Sequence, residues 1–156
     1  MADLVCEIMN WSGPDDVVWV TFTGRIHMDT APAFRRQLEK LVGTQPRALA
    51  VELADVSYMD SSGVAVLVEC LRWSHAAGID FVLLAPSTRV LEAFEVVGLG
   101  GIFVVLHRPQ DLHARAAHAV AKRGSSSTSS AKRSQRRSAR QPQVSHDEPP
   151  APQPAP

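Results

Sequence analysis

The sequence predicts an α/β fold in which a mixed β-sheet opens with a β-hairpin and is then built up by alternating helices and strands. Three observations predict it. A turn-forming cluster separates two β-prone runs near the start of the chain. Beyond residue 29, segments with apolar residues at helical spacing alternate with short, almost wholly apolar runs. The 156 residues suffice for one ordinary domain and not comfortably for two.

The hairpin comes from Val5–Asn10 and Val17–Thr23, which are rich in branched and aromatic residues and flank Ser12-Gly13-Pro14-Asp15-Asp16. Asp29-Thr30-Ala31-Pro32 then starts a helix: Asp29 or Thr30 can cap it, proline is tolerated in its first turn, and Phe34, Leu38, Leu41 and Val42 form the stripe. Ala48–Leu53 is apolar at most positions, as in a strand covered on both faces. After Asp60-Ser61-Ser62-Gly63 a helix places Val64, Leu67, Val68 and Leu71 on one stripe, with Glu69, Arg72 and His75 turned to water or a partner, and Gly78 stops it. Asp80–Ala85 is the next strand. Pro86-Ser87 opens a helix with Val90, Leu91, Phe94 and Val97 inward and Gly98 at its end. Ile102–Leu106 reads as the last strand, and a final Ala-rich helix runs from Pro109 to about Lys122.

Formal charge sums to zero, but unevenly. Residues 1–114 carry 8 Lys/Arg against 14 Asp/Glu, and residues 115–156 carry 8 against 2. From 124 to 156 the chain is Ser, Arg, Gln, Pro and Ala with Val144 as its one large aliphatic residue, too little apolar surface to offset ordering entropy. The expected organisation is therefore a folded domain over 1–123 and a disordered tail over 124–156. The tail's Lys132, Arg133, Arg136, Arg137 and Arg140 can meet anionic surfaces without specificity, but a solvated tail is the plainer reading, and no specific nucleic-acid binding is expected.

Cys6 and Cys70 lack metal-binding or redox spacing and read as small apolar residues. His75, His107, His113, His118 and His146 form no metal-spaced set. No metal or cofactor is expected. No apolar run approaches the roughly 20 residues that cross a bilayer, so membrane insertion is not expected and a cytoplasmic location is. Trp11, Trp19 and Trp73 read as packing or edge residues, with Trp73 a candidate neighbour of an interface.

The chemistry concentrates at Asp60-Ser61-Ser62-Gly63, where a buried strand hands over to the first turn of a helix. That turn leaves N–H groups unpaired and carries the positive end of the helix dipole, so a phosphate on a serine there is tolerated. Simple capping by Asp60 or a serine explains the same residues. No phosphate-binding loop, kinase-type glycine loop or nucleophile elbow is present, so any phosphoryl transfer belongs to a partner. A hydrolase using Ser61 as nucleophile lacks an identifiable base.

Three segments together resemble the STAS family, the fold of bacterial anti-sigma factor antagonists: Gly24-Arg25-Ile26-His27-Met28-Asp29-Thr30-Ala31-Pro32, Leu53-Ala54-Asp55-Val56-Ser57-Tyr58-Met59-Asp60-Ser61-Ser62-Gly63-Val64, and Pro86-Ser87 through Val90, Leu91, Phe94 and Gly98-Leu99. The resemblance implies that Ser61, with Ser62 as the alternative, is phosphorylated by a partner that is both serine kinase and anti-sigma factor. It implies that the unphosphorylated chain binds that partner and that a phosphatase resets the switch. Asp60, Ser61, Ser62, Gly63, Arg25, His27 and Asp29 are the residues expected to meet it. The family commonly has Gly-Glu-Leu/Ile-Asp in the first segment, where this chain has Arg25 and His27 in place of the acids. An adaptor subunit of a membrane transport complex is the alternative role for such a domain.

Overall fold

The computed structural model describes residues 4–11 and 16–118. β1 (Leu4–Trp11) and β2 (Val17–Ile26) form the opening hairpin, running antiparallel from Leu4↔Gly24 to Trp11↔Val17. There follow α1 (Ala31–Gly43), β3 (Ala48–Met59), α2 (Ser61–Ala76), β4 (Asp80–Leu84), α3 (Thr88–Val96) and β5 (Val105–Leu106), and then a fourth helix, α4, over residues 109–118. The sheet is mixed: β2 to β5 are parallel and the strand order is β1-β2-β3-β4-β5. The parallel strands are added in chain order, and right-handed crossovers, the general rule for such connections, deliver α1, α2 and α3 all to one face.

That face holds the main core, where Val20, Phe22, Ile26, Leu49, Val51 and Leu53 meet Phe34, Leu38, Leu67, Val90 and Phe94. Phe22 and Phe34 pack edge to face with centroids 4.7 Å apart. Successive strand residues point to opposite faces, so Val17, Ala48, Ala50 and Val82 line the other side. There they meet Leu112 and Ala116 of α4. Arg115 fixes α4 to the start of β4 through two bonds to the Asp80 carboxylate, at 2.8 and 2.9 Å. On this second face Glu52 accepts bonds from Trp19 Nε1 and Thr21 Oγ1, both at 2.9 Å, so Trp19 is a packing residue with its N–H satisfied.

Several boundaries differ from the sequence expectation. β3 continues from Leu53 to Met59, since β2 extends equally far and pairs with it to Ile26↔Met59 across two register shifts. The turn-like polarity of Ala54-Asp55 reflects exposure where β4 has ended, not the end of the strand. β5 is only Val105–Leu106. Ile102 is exposed and Phe103 turns inward to stack on Phe94, with centroids 4.9 Å apart. Val97 lies just past α3 and is exposed, so it is not part of the buried stripe. In α2 the buried face is wider than the expected stripe and includes Val66, Cys70 and Ser74, because the helix sits between α1 and α3. Gly78 and Gly98 end their helices at positive φ, +71° and +72°, as expected of glycine there.

Cys6 and Cys70 are free thiols, and burial pushes that of Cys70 up to about 12. The turn at 12–15, the end of the last helix beyond 118, the 123/124 boundary and the tail lie outside the described residues. Among the described residues no helix is long and apolar enough to cross a membrane.

Candidate functional site at the start of α2

β2 and β3 finish side by side, and the chain leaves each of them into a helix. Asp60 donates its amide to Ile26 O at 3.1 Å, which locks the two strand ends together. The 27–30 loop and the first turn of α2 thereby share the carboxyl end of the sheet, where ligands and partners of parallel sheets usually bind.

Asp60 is the N-cap of α2, with extended backbone and its carboxylate turned over the first turn. Oδ1 accepts from Ser62 N at 2.9 Å, from Gly63 N at 3.3 Å and from the Ser62 hydroxyl in a short contact. Oδ2 accepts from Met28 N at 3.2 Å, so one side chain ties the helix start to the β2–α1 loop. Burial alone would raise the pKa of this carboxyl. The Ser62 hydroxyl and the amides of Gly63, Ser62 and Met28 outweigh that effect and hold it below the ordinary carboxylate value. Asp60 is thus a capping anion whose hydroxyl partner is Ser62, not Ser61.

Ser61 is the first residue of α2, exposed, and its hydroxyl has no hydrogen-bond partner within the described residues. Ser62 is half-buried and engaged. The two serines, equivalent on the page of the sequence, are chemically different in the fold.

Gly63 is buried and acts as a spacer. A Cβ there would stand 2.8 Å from Ile26 Cγ2 and 2.8 Å from Met59 Cγ, so only glycine lets α2 begin so close to the ends of β2 and β3.

The first segment is held by Thr30, which caps α1 in position but makes no side-chain cap bond, contrary to expectation. Its hydroxyl points back into the loop, accepting from His27 N and donating to Arg25 O, both at 2.9 Å. His27 Nδ1 lies 3.4 Å from the Asp29 amide and 3.7 Å from its carboxylate; neutral imidazole accepts from the first and imidazolium pairs with the second. His27 is half-buried and Asp29 exposed, both on the loop that Asp60 anchors. Arg25 turns the other way, over the Tyr58 ring at 5.0 Å, towards α3.

Sequence reasoning missed Met28, whose amide reaches Asp60 and whose side chain is 75% exposed beside the serines' helix. It also missed the Arg25–Tyr58 pair, which the alternation along β3 would have revealed had the strand been extended to Met59. Trp73 is twelve residues into α2 from Ser61, about 18 Å along its axis, and stacks with Arg35 at 5.4 Å. It does not border the switch. Arg35 also pairs with Glu69 at 3.3 Å, so Glu69 is committed to α1. Among the described residues no group of three His, Cys, Asp or Glu side chains is arranged to hold a metal ion.

The family model described as STAS domain matches residues 9–115. An anti-sigma-B factor antagonist of Listeria monocytogenes is 31% identical over 90 residues, covering 58% of this chain and 79% of the relative. The protein of the same description from Bacillus subtilis is 34% identical over 85 residues, covering 54% and 77%. Among solved structures, an anti-sigma factor antagonist from Mycobacterium paratuberculosis superposes with a TM-score of 0.62 at 24% identity, covering 76% of this chain and 94% of that one. The family model covers most of the described residues, the named relatives share one description, and this chain belongs to the STAS domain family, of the anti-sigma factor antagonist type.

Proposed function

We propose that the chain is an anti-sigma factor antagonist switched at Ser61: unphosphorylated, it binds an anti-sigma factor that is also a serine kinase and keeps it from its sigma factor; phosphorylated, it lets go. The observation that carries this reading is the exposed, unpartnered Ser61 hydroxyl at the first position of α2, next to a Ser62 hydroxyl already held by Asp60. In the transfer step the Ser61 oxygen attacks the γ-phosphorus of ATP held by the partner. The bond to the β-bridging oxygen breaks, ADP leaves, and the hydroxyl proton goes to a base of the partner.

The phosphate adds about −1.5 to −2 charges beside the Asp60 carboxylate. The N-terminus of α2 offsets only about 0.3–1 kcal/mol of that, enough for the free protein to keep its fold. Excluding water from the same charge in an interface costs several kcal/mol, so release needs no change of fold. The mechanism places the protein in the cytoplasm with its ATP-using partner, and a phosphatase is needed to reset it.

The test is to incubate the chain with Mg·ATP and each anti-sigma serine kinase of the same genome, and to locate any added phosphate by mass spectrometry. Phosphate on Ser61 that is lost in Ser61→Ala and kept in Ser62→Ala is expected. Phosphate on Ser62, or none with any kinase, sinks the proposal; the latter result favours the transport-adaptor role.

A further inference from the structure

Beyond Glu52↔Leu84 no strand among the described residues lies on the β4 side of β3. Ser87 covers the first part of that bare edge, its amide donating to Leu53 O at 3.1 Å and its hydroxyl to Val56 O at 2.6 Å. Past that point Ser57–Met59 and the outer face of α3 enclose a notch of about 540 Å³, lined by Arg25, Tyr58, Met59, Arg89, Glu92 and Val96.

The notch combines charge with uncovered apolar surface. Glu92 is taken up by Arg89 at 3.1 Å, whereas Arg25 has no carboxylate within pairing distance among the described residues and is held only against the Tyr58 ring. The lining therefore has one guanidinium in excess. Around it Val96 is 86% and Tyr58 42% exposed. Arginine and tyrosine are residue types that anchor protein interfaces, and here they sit in an open concavity of mixed polar and apolar lining.

We propose that this notch is a second docking point, which receives an acidic side chain flanked by an apolar one from the partner protein. That the partner is the anti-sigma kinase rests on the function proposed above; the chemistry of the notch does not. Tyr58 and Met59 are followed directly by Asp60 and Ser61, so a protein seated here is brought up to the switch. The carboxylate meets Arg25, and the apolar side chain covers Tyr58 and Val96.

Two readouts test it on the full chain. In the first, a short peptide with Glu-Leu-Glu-Phe at its centre is titrated against ¹⁵N-labelled protein, alongside its counterpart with both Glu replaced by Lys. Shifts at Arg25, Tyr58, Arg89 and Val96 are expected with the acidic peptide alone, weaker at high salt and lost in Arg25→Glu. Equal response to the two peptides, no response, or shifts elsewhere overturns the proposal. In the second, stopped-flow association with the kinase that phosphorylates Ser61 should slow about fivefold or more in Arg25→Glu at low salt and converge with wild type at high salt. Val96→Asp, at an exposed position that leaves the fold intact, should weaken the complex as well. Wild-type rates and affinity in both variants also overturn it. If no kinase acts on Ser61 yet the acidic peptide seats in the notch, the switch reading fails and the docking site stands.

Discussion

Gly63→Ala adds a single methyl group, and the fold has no room for it. Its carbon would approach Ile26 Cγ2 and Met59 Cγ to 2.8 Å, closer than side-chain carbons come without something moving. Ile26 is fully buried and branched at Cβ, so it cannot swing away, while Met59 can shift its Cγ only by repacking inside the core. Overpacking of this kind costs about 1–3 kcal/mol, and the better helix propensity of alanine returns at most about 1 kcal/mol. The net expectation is a loss of about 1–2 kcal/mol, seen as a fall in Tm of roughly 4–8 °C by calorimetry. Met59→Ala removes the Cγ that clashes, so the double variant should be more stable than the two single losses added together, by about 0.5 kcal/mol or more. A Gly63→Ala protein as stable as wild type would refute the close approach of α2, and with it the placement of Ser61 derived from it.

Asp60→Asn keeps a capping oxygen but removes the charge at the start of α2, so it should cost about 0.3–1 kcal/mol at neutral pH and change the acid limb of stability. The native carboxyl titrates below its ordinary value, so its contribution is complete above the unfolded pKa of about 3.9 and is lost as pH falls through the lower folded value; melting curves of wild type and Asp60→Asn should converge there. Parallel curves down to about pH 2 would show that Asp60 is not the group responsible. Arg115→Ala should loosen α4, with faster amide exchange confined to 109–118, because Asp80 is its ionic anchor; unchanged exchange there means the Leu112 and Ala116 contacts suffice. Deletion of 124–156 should shift Tm by no more than a few degrees, since the segment offers Val144 as its one large aliphatic residue to a core; a larger fall means that it docks.

The layout was legible because it is written in periodicity. Val90 and Phe94 at helical spacing, the mostly apolar run Ala48–Leu53 and the glycines at 78 and 98 each reflect a local physical demand. The strand ends were not. Local apolar pattern bounds the third strand at Leu53, and only the equal extension of β2 carries it through Ala54-Asp55 and Ser57-Tyr58 to Met59, a long-range fact absent from local pattern. The same blindness hid the notch, which exists because β4 stops at Leu84 while β3 goes on. At the site, the composition of Asp60-Ser61-Ser62-Gly63 announced a helix start, yet which serine is free depends on where the Asp60 carboxylate points. That choice is made jointly with Met28, more than thirty residues away.

The most direct measurement is the affinity of the anti-sigma kinase for the unphosphorylated chain and for the chain phosphorylated at Ser61, by calorimetry without ATP. A penalty of about 2 kcal/mol or more for burying the phosphate corresponds to at least about thirtyfold weaker binding, with Ser61→Ala like the unphosphorylated chain and Ser61→Asp in between. Equal affinities for the two forms would contradict the account, because a phosphate at the start of α2 would then lie outside the surface the partner covers.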